Sequence, residues 1–181
     1  MFASGGDVSG MDLKAVLREK RTDIVKRWFE SVLESYQEEA RTSLRRQNAQ
    51  FTHPVGFNLA QGLEGLFDGL VSGVMPGDVS VHLDAIVRLR AVQDFTPSQA
   101  VAFIFRIKDI LRDALGQDLL QDGRIAGGLR EFDSAVDDLA MYAFDLYMQC
   151  REKIYDIKAQ EARDATFRLL QQAKILTERK E

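Results

Sequence analysis

After the Asp122-Gly123 turn no proline interrupts the chain, and from Leu129 to about Arg179 apolar residues keep a helical beat. Phe132, Val136, Leu139, Ala143, Leu146, Cys150, Ile154 and Ile157 fall on one face, at the three-to-four spacing of an amphipathic helix. Between Lys158 and Ala165 the only apolar residues are alanines; Phe167, Leu169, Leu170, Ile175 and Leu176 then resume. The segment is one long helix or two broken in line, and about 50 helical residues span ~75 Å. A folded chain of 181 residues has a radius of gyration of only about 16 Å. Such a helix must fold back, project, or pair with another chain. The expectation is a homodimer or a docked protein partner, with Phe167, Leu170, Ile175 and Leu176 as the contact residues.

Upstream the pattern is also helical throughout. Leu13, Val16, Leu17, Ile24, Trp28, Val32 and Leu33 mark a helix from Asp12 to about Tyr36, and a short polar helix follows near Glu38–Asn48. His53-Pro54-Val55-Gly56 breaks the pattern, because proline lacks an N–H and restricts its predecessor. In the next helix, about Asn58–Gly73, Gly62, Gly65, Gly69 and Gly73 lie within roughly 80° of one another, beside a stripe of leucines. Each interior glycine costs about 1 kcal/mol relative to alanine. Four on one side imply either a close helix crossing or a groove that admits a ligand against bare backbone. Met75-Pro76-Gly77-Asp78 is a turn, with Asp78 or Ser80 as the cap of a helix ending near Val92.

Thr96-Pro97-Ser98-Gln99 is the strongest local signal: threonine at the N-cap, proline at the first helical position and glutamine at the third form a capping box. The helix it opens runs to about Leu115, where Gly116 is placed to end it. Ala100, Phe103, Ile104, Ile107, Ile110, Leu111 and Ala114 face inward, while Val101 and Phe105 lie off that face. It is therefore central, or meets a second partner.

The fold class is all-α, and no stretch approaches the ~18 apolar residues of a membrane span. Composition narrows the function. Twenty-four Lys+Arg against 28 Asp+Glu leave a net charge of −4, which disfavours a nucleic-acid partner. The single cysteine, Cys150, excludes an internal disulfide and any multi-cysteine metal site, and fits a cytoplasmic location. It falls on an apolar helix face, where a thiol is inert packing. No catalytic set can be assembled from two histidines, splayed acid pairs and no Gly-x-Ser-x-Gly elbow. The expectation is a non-enzyme with no cofactor and no metal.

One polar set stands out: His82, Arg90, Gln93 and Asp94. Arg90 projects from an apolar face, and an unpaired buried charge costs several kcal/mol. Asp94, Asp109 and Glu64 are its candidate partners. The set is either a structural network, with Arg90 and Asp94 bonded to each other, or a site for a small anion. Haem ligation through His82, the one helical histidine, is the remaining alternative.

The run Leu83-Asp84-Ala85-Ile86-Val87-Arg88-Leu89-Arg90-Ala91-Val92-Gln93-Asp94-Phe95-Thr96-Pro97-Ser98-Gln99-Ala100-Val101 resembles the N-terminal domain of RsbRD-type RsbT co-antagonist proteins. His53-Pro54-Val55-Gly56 with Gly62-Leu63-Glu64, Trp28, and Asp145 to Lys153 are similar to the same family, though His53 stands where asparagine is expected. The resemblance implies a globin-like helical bundle with a long C-terminal helix, a stressosome-type sensory module that dimerises and relays a signal. Co-antagonist activity does not carry over, since 181 residues leave no room for a transmitter. The expected organisation is a disordered lead-in or expression remnant at 1–11, the sensory domain at 12–157 and a helical extension at 158–181.

Overall fold

The computed structural model describes residues 12–44, 54–73, 80–93 and 95–178. Seven helices make it all-α, with no strand among the described residues: α1 Leu13–Glu19, α2 Arg21–Leu33, α3 Glu38–Leu44, α4 Pro54–Ser72, α5 Ser80–Val92, α6 Pro97–Leu120 and α7 Gly123–Glu178. The lead-in at 1–11, His53, the Met75–Asp78 turn and Asp94 lie outside the described residues. So do the side chains of Ser80, Ile175 and Leu176.

Several boundaries differ from the sequence pattern. The first helix is two, divided at Lys20 (φ −89°, ψ 4°). Residues 18–23 carry no apolar anchor, and Leu17 and Ile24 on either side of the break are both buried in the core. Helix α4 begins at Pro54 rather than Asn58, since the first turn has no use for a proline N–H. Gly116 kinks α6 with φ +75° instead of ending it, and the helix continues to Leu120. Helix α7 is a single run of 56 residues that starts at Gly123, with no break in line.

Helix α6 sits at the centre, packed on α2, α5 and α7. Trp28, fully buried, stacks on Phe103 at 6.3 Å and donates from Nε1 to the Phe103 carbonyl at 2.7 Å, fastening α2 to α6. Val101, expected off the inward face, is buried, whereas Phe105 is exposed. Lys108–Asp137 (2.6 Å) and Arg112–Asp133 form two rungs between α6 and α7 on the outer side. At the other edge Arg21 grips Asp68 through Nε (2.7 Å) and Nη2 (2.9 Å) and reaches Glu64 at 3.2 Å, which raises its already high pKa.

Helix α7 leaves this body. Tyr147 is its last fully buried residue, Cys150 and Ile154 pack on the core's edge, and every residue from Tyr155 to Gln172 is exposed. From Tyr155 to Glu178 the helix extends about 36 Å.

Candidate functional site

The glycine stripe of α4 resolves into three roles. Gly62 and Gly65 face α5: a Cβ on Gly62 would stand 3.0 Å from Ile86 Cδ1, and one on Gly65 would run into the His82 ring. Gly69 is buried. Gly73 adopts φ +77° and its N–H caps the helix on the Gly69 carbonyl (3.0 Å), a left-handed turn that favours glycine. At Gly62 and Gly65 the space beside the bare backbone is therefore filled by side chains of α5.

This crossing also takes His82 out of the expected polar set. Its ring lies over Gly65 on an exposed part of α5, two turns and about 12 Å of helix from Arg90. The exposed His82 and the buried Arg90 are thus not brought together. Arg88 and Asp84, four residues apart on α5, form a surface ion pair at 2.5 Å.

Arg90 is completely buried, and no carboxylate among the described residues reaches it. Glu64 is committed to Arg21, Asp109 is an exposed surface residue, and Asp94 is not described. The guanidinium instead donates from Nη1 to the Gln99 carbonyl (2.9 Å) and from Nη2 to Ser35 Oγ (2.9 Å). Three rings surround it: Phe95 at 4.8 Å, Phe103 at 4.9 Å and Tyr36 at 5.3 Å. Desolvated cation–π contacts are worth about 2 kcal/mol and hydrogen bonds to a charged group about 1.5–3 kcal/mol. They stand against several kcal/mol for taking the ion out of water. The charge is held by ring faces and neutral oxygens.

Two buried polar atoms here have no hydrogen-bond partner, Arg90 Nε and the Tyr36 hydroxyl. Burial lowers the pKa of Arg90 and raises that of Tyr36, each shift favouring the neutral form and each partly opposed by the other group. Two clefts meet at this point. One, of about 350 Å³, is lined by Arg90, Arg106, Glu34, Ser31 and the rings of Phe95 and Phe103. The other, of about 450 Å³, is lined by Tyr36, Gln37, Ala40 and Gln93, and the two share Ser35, Phe95 and Gln99 as a common wall. Arg90 and Gln93 of the expected set are therefore brought to neighbouring clefts.

The site is assembled from element ends. Thr96 accepts from Gln99 N (3.3 Å) and Gln99 Oε1 accepts from Thr96 N (3.0 Å), so the capping box read from the sequence fixes the carbonyl that Arg90 binds. Ser35 and Tyr36 follow α2, where Ser35 Oγ donates to the Val32 carbonyl at 2.6 Å. Helix α7 closes the corner: the Tyr147 hydroxyl donates to the Phe95 carbonyl and Arg151 Nη1 to the Ala91 carbonyl (3.0 Å). Sequence reasoning missed Ser35, Tyr36, Phe95 and Arg106. The only available signal was the unusual density of aromatic and polar residues at the two helix junctions.

Residues 22–162 match the family model of the RsbT co-antagonist protein rsbRD N-terminal domain. The chain belongs to this family. The family match takes in every cleft residue named above and stops at Ala162, part-way along the exposed arm. An uncharacterized protein of Archaeoglobus fulgidus is 32% identical over 85 residues, covering 46% of this chain. The chain spans about half the length of that curated relative, 52% of it. No solved structure matches the chain.

Cys150 offers little reactivity, since burial against the core pushes its thiol pKa up. Among the described residues no group of histidine, cysteine and acidic side chains has the geometry to hold a metal ion, and no helix is long and apolar enough to cross a membrane.

Proposed function

We propose that the chain is a non-enzymatic sensory and regulatory domain of the stressosome type, a cytoplasmic homodimer that signals to a protein partner through the projecting arm of α7. Family membership supports the regulatory role and, with it, the globin-like arrangement expected of the bundle. The observation that carries the relay is the arm itself. Tyr155, Ile157, Phe167, Leu169 and Leu170 are more than half exposed on a stretch of helix that packs on no other element among the described residues. Five large apolar side chains exposed on one projecting helix are the kind of surface that marks an interaction site.

The arm's register favours a second copy as its first partner. Tyr155, Ala159, Ala162, Thr166, Leu169, Ala173 and Leu176 recur at alternating steps of four and three, with no charge among them. That 3.5-residue period is the seam of a two-stranded coiled coil. Leu170 borders this seam, whereas Phe167 and Ile175 lie on other sides of the helix. They belong to the surface a different protein would read.

The connection to the body is Tyr147 and Arg151, which tie α7 to the carbonyls that end α5 and precede α6. A signal that favours one packing of this corner over another shifts the population of α7 positions, and the arm carries that shift outward. Size-exclusion chromatography with light scattering tests the core of the proposal. Wild type is expected to be a dimer, and Leu169→Glu a monomer with unchanged helical circular dichroism. A wild type that stays monomeric at high concentration overturns the dimeric relay.

A further inference from the structure

We propose that the cleft beside Arg90 binds a small organic monoanion, a carboxylate on an apolar or aromatic body. The claim concerns a ligand class and site; only its signalling consequence rests on the sensory reading above.

Arg90 is a fully buried guanidinium whose partners among the described residues are all neutral, and it lines the cleft, so an anion there would meet an uncompensated positive charge. Its Nε makes no hydrogen bond of ordinary geometry, and neither does the Tyr36 hydroxyl on the wall of the neighbouring cleft; the two interact with each other. The two bonds it makes are to neutral acceptors, Ser35 Oγ and the Gln99 carbonyl. The N-terminal end of α6, a 24-residue helix, adds positive potential at the same place. Arg106 stands on the wall of the same cleft.

The walls specify what the anion carries. Phe95, Phe103 and Ala102 supply apolar surface, and the cleft's volume of about 350 Å³ belongs to small-molecule sites. Glu34, also on the wall, discriminates by charge: one negative group is balanced by Arg90, and a second meets repulsion. Phe95 is half-buried on the wall common to both clefts, and its ring covers Arg90. Its rotation admits the ligand. Its carbonyl is the acceptor of the Tyr147 hydroxyl, so movement there reaches α7 directly.

Calorimetric titration and thermal shift of the full chain with sodium benzoate, sodium acetate and inorganic phosphate test this. Benzoate should raise the unfolding temperature saturably, acetate more weakly and phosphate least. Arg90→Met should weaken benzoate binding by about tenfold or more, the loss of one charge-assisted contact. Glu34→Gln should tighten it. Should Arg90→Met fail to fold, Tyr36→Phe keeps the ring and should still weaken binding several-fold. No saturable response to benzoate, phosphate as the tightest ligand, or equal binding by the folded Arg90→Met protein overturns the proposal. Light scattering on the same samples separates the two claims: binding by a monomer upholds the site and sinks the dimer, and a dimer without binding does the reverse.

Discussion

At the scale of single residues, the glycine that matters most is not in the α4 stripe. Gly56 sits one turn into α4, buried against the backbone of Leu44 at the end of α3, and a Cβ there would strike the Leu44 carbonyl. Backbone cannot rotate away, so Gly56→Ala should cost about 1–3 kcal/mol, the range for overpacking. Gly65→Ala meets only the His82 ring, the far end of an exposed side chain that can swing into solvent. There the gain of about 1 kcal/mol in helix propensity offsets the disturbance, and stability should change by less than about 1 kcal/mol. Urea midpoints at constant slope measure both. A larger loss for Gly65→Ala than for Gly56→Ala would refute the packing described. The stripe was legible because periodicity shows which residues share a face. The partner of Arg90 was not, because periodicity says nothing of what stands opposite. Charge balance pointed to an acid, whereas the partners among the described residues are Tyr36, Phe95 and Phe103 with two neutral oxygens.

At the scale of elements, α6 carries the corner. Its capping box holds the first turn, and the Gln99 carbonyl of that turn holds Arg90. Thr96→Ala removes the side-chain acceptor for Gln99 N and should destabilise the protein by about 1 kcal/mol, read as a lower thermal midpoint. Amide exchange should quicken first at residues 98–100. An unchanged midpoint would mean that Arg90 and Phe103 fix this turn without the cap. The cap was readable because its chemistry lies within four consecutive residues. Helix ends set by distant packing were less so. The break at Lys20 falls in a stretch, residues 18–23, whose apolar pattern is silent, and Pro54 opens α4 because only its first turn tolerates the ring. The clefts were least legible of all, being made where the ends of α2, α5 and α6 converge.

For the whole molecule, the question is how two unlike parts share one helix. The core engages α7 as far as Ile154, and none of the described side chains from Tyr155 to Gln172 contributes to it. A chain shortened after Lys158 should therefore unfold cooperatively, with a urea midpoint that does not depend on protein concentration. The full chain should behave otherwise: if the arm pairs with a second copy, each tenfold rise in concentration favours the folded dimer by about 1.4 kcal/mol, and the midpoint climbs with it. Leu169→Glu, placed in the seam, should abolish that dependence, whereas Phe167→Glu, about 160° round the helix from it, should leave it intact. Equal sensitivity at both positions would mean that the arm associates through its general apolar character and not through a defined register. An arm without register could hold copies together but could not transmit a small displacement of the Phe95–Tyr147 corner along its length, since adjacent helices would slide to absorb it.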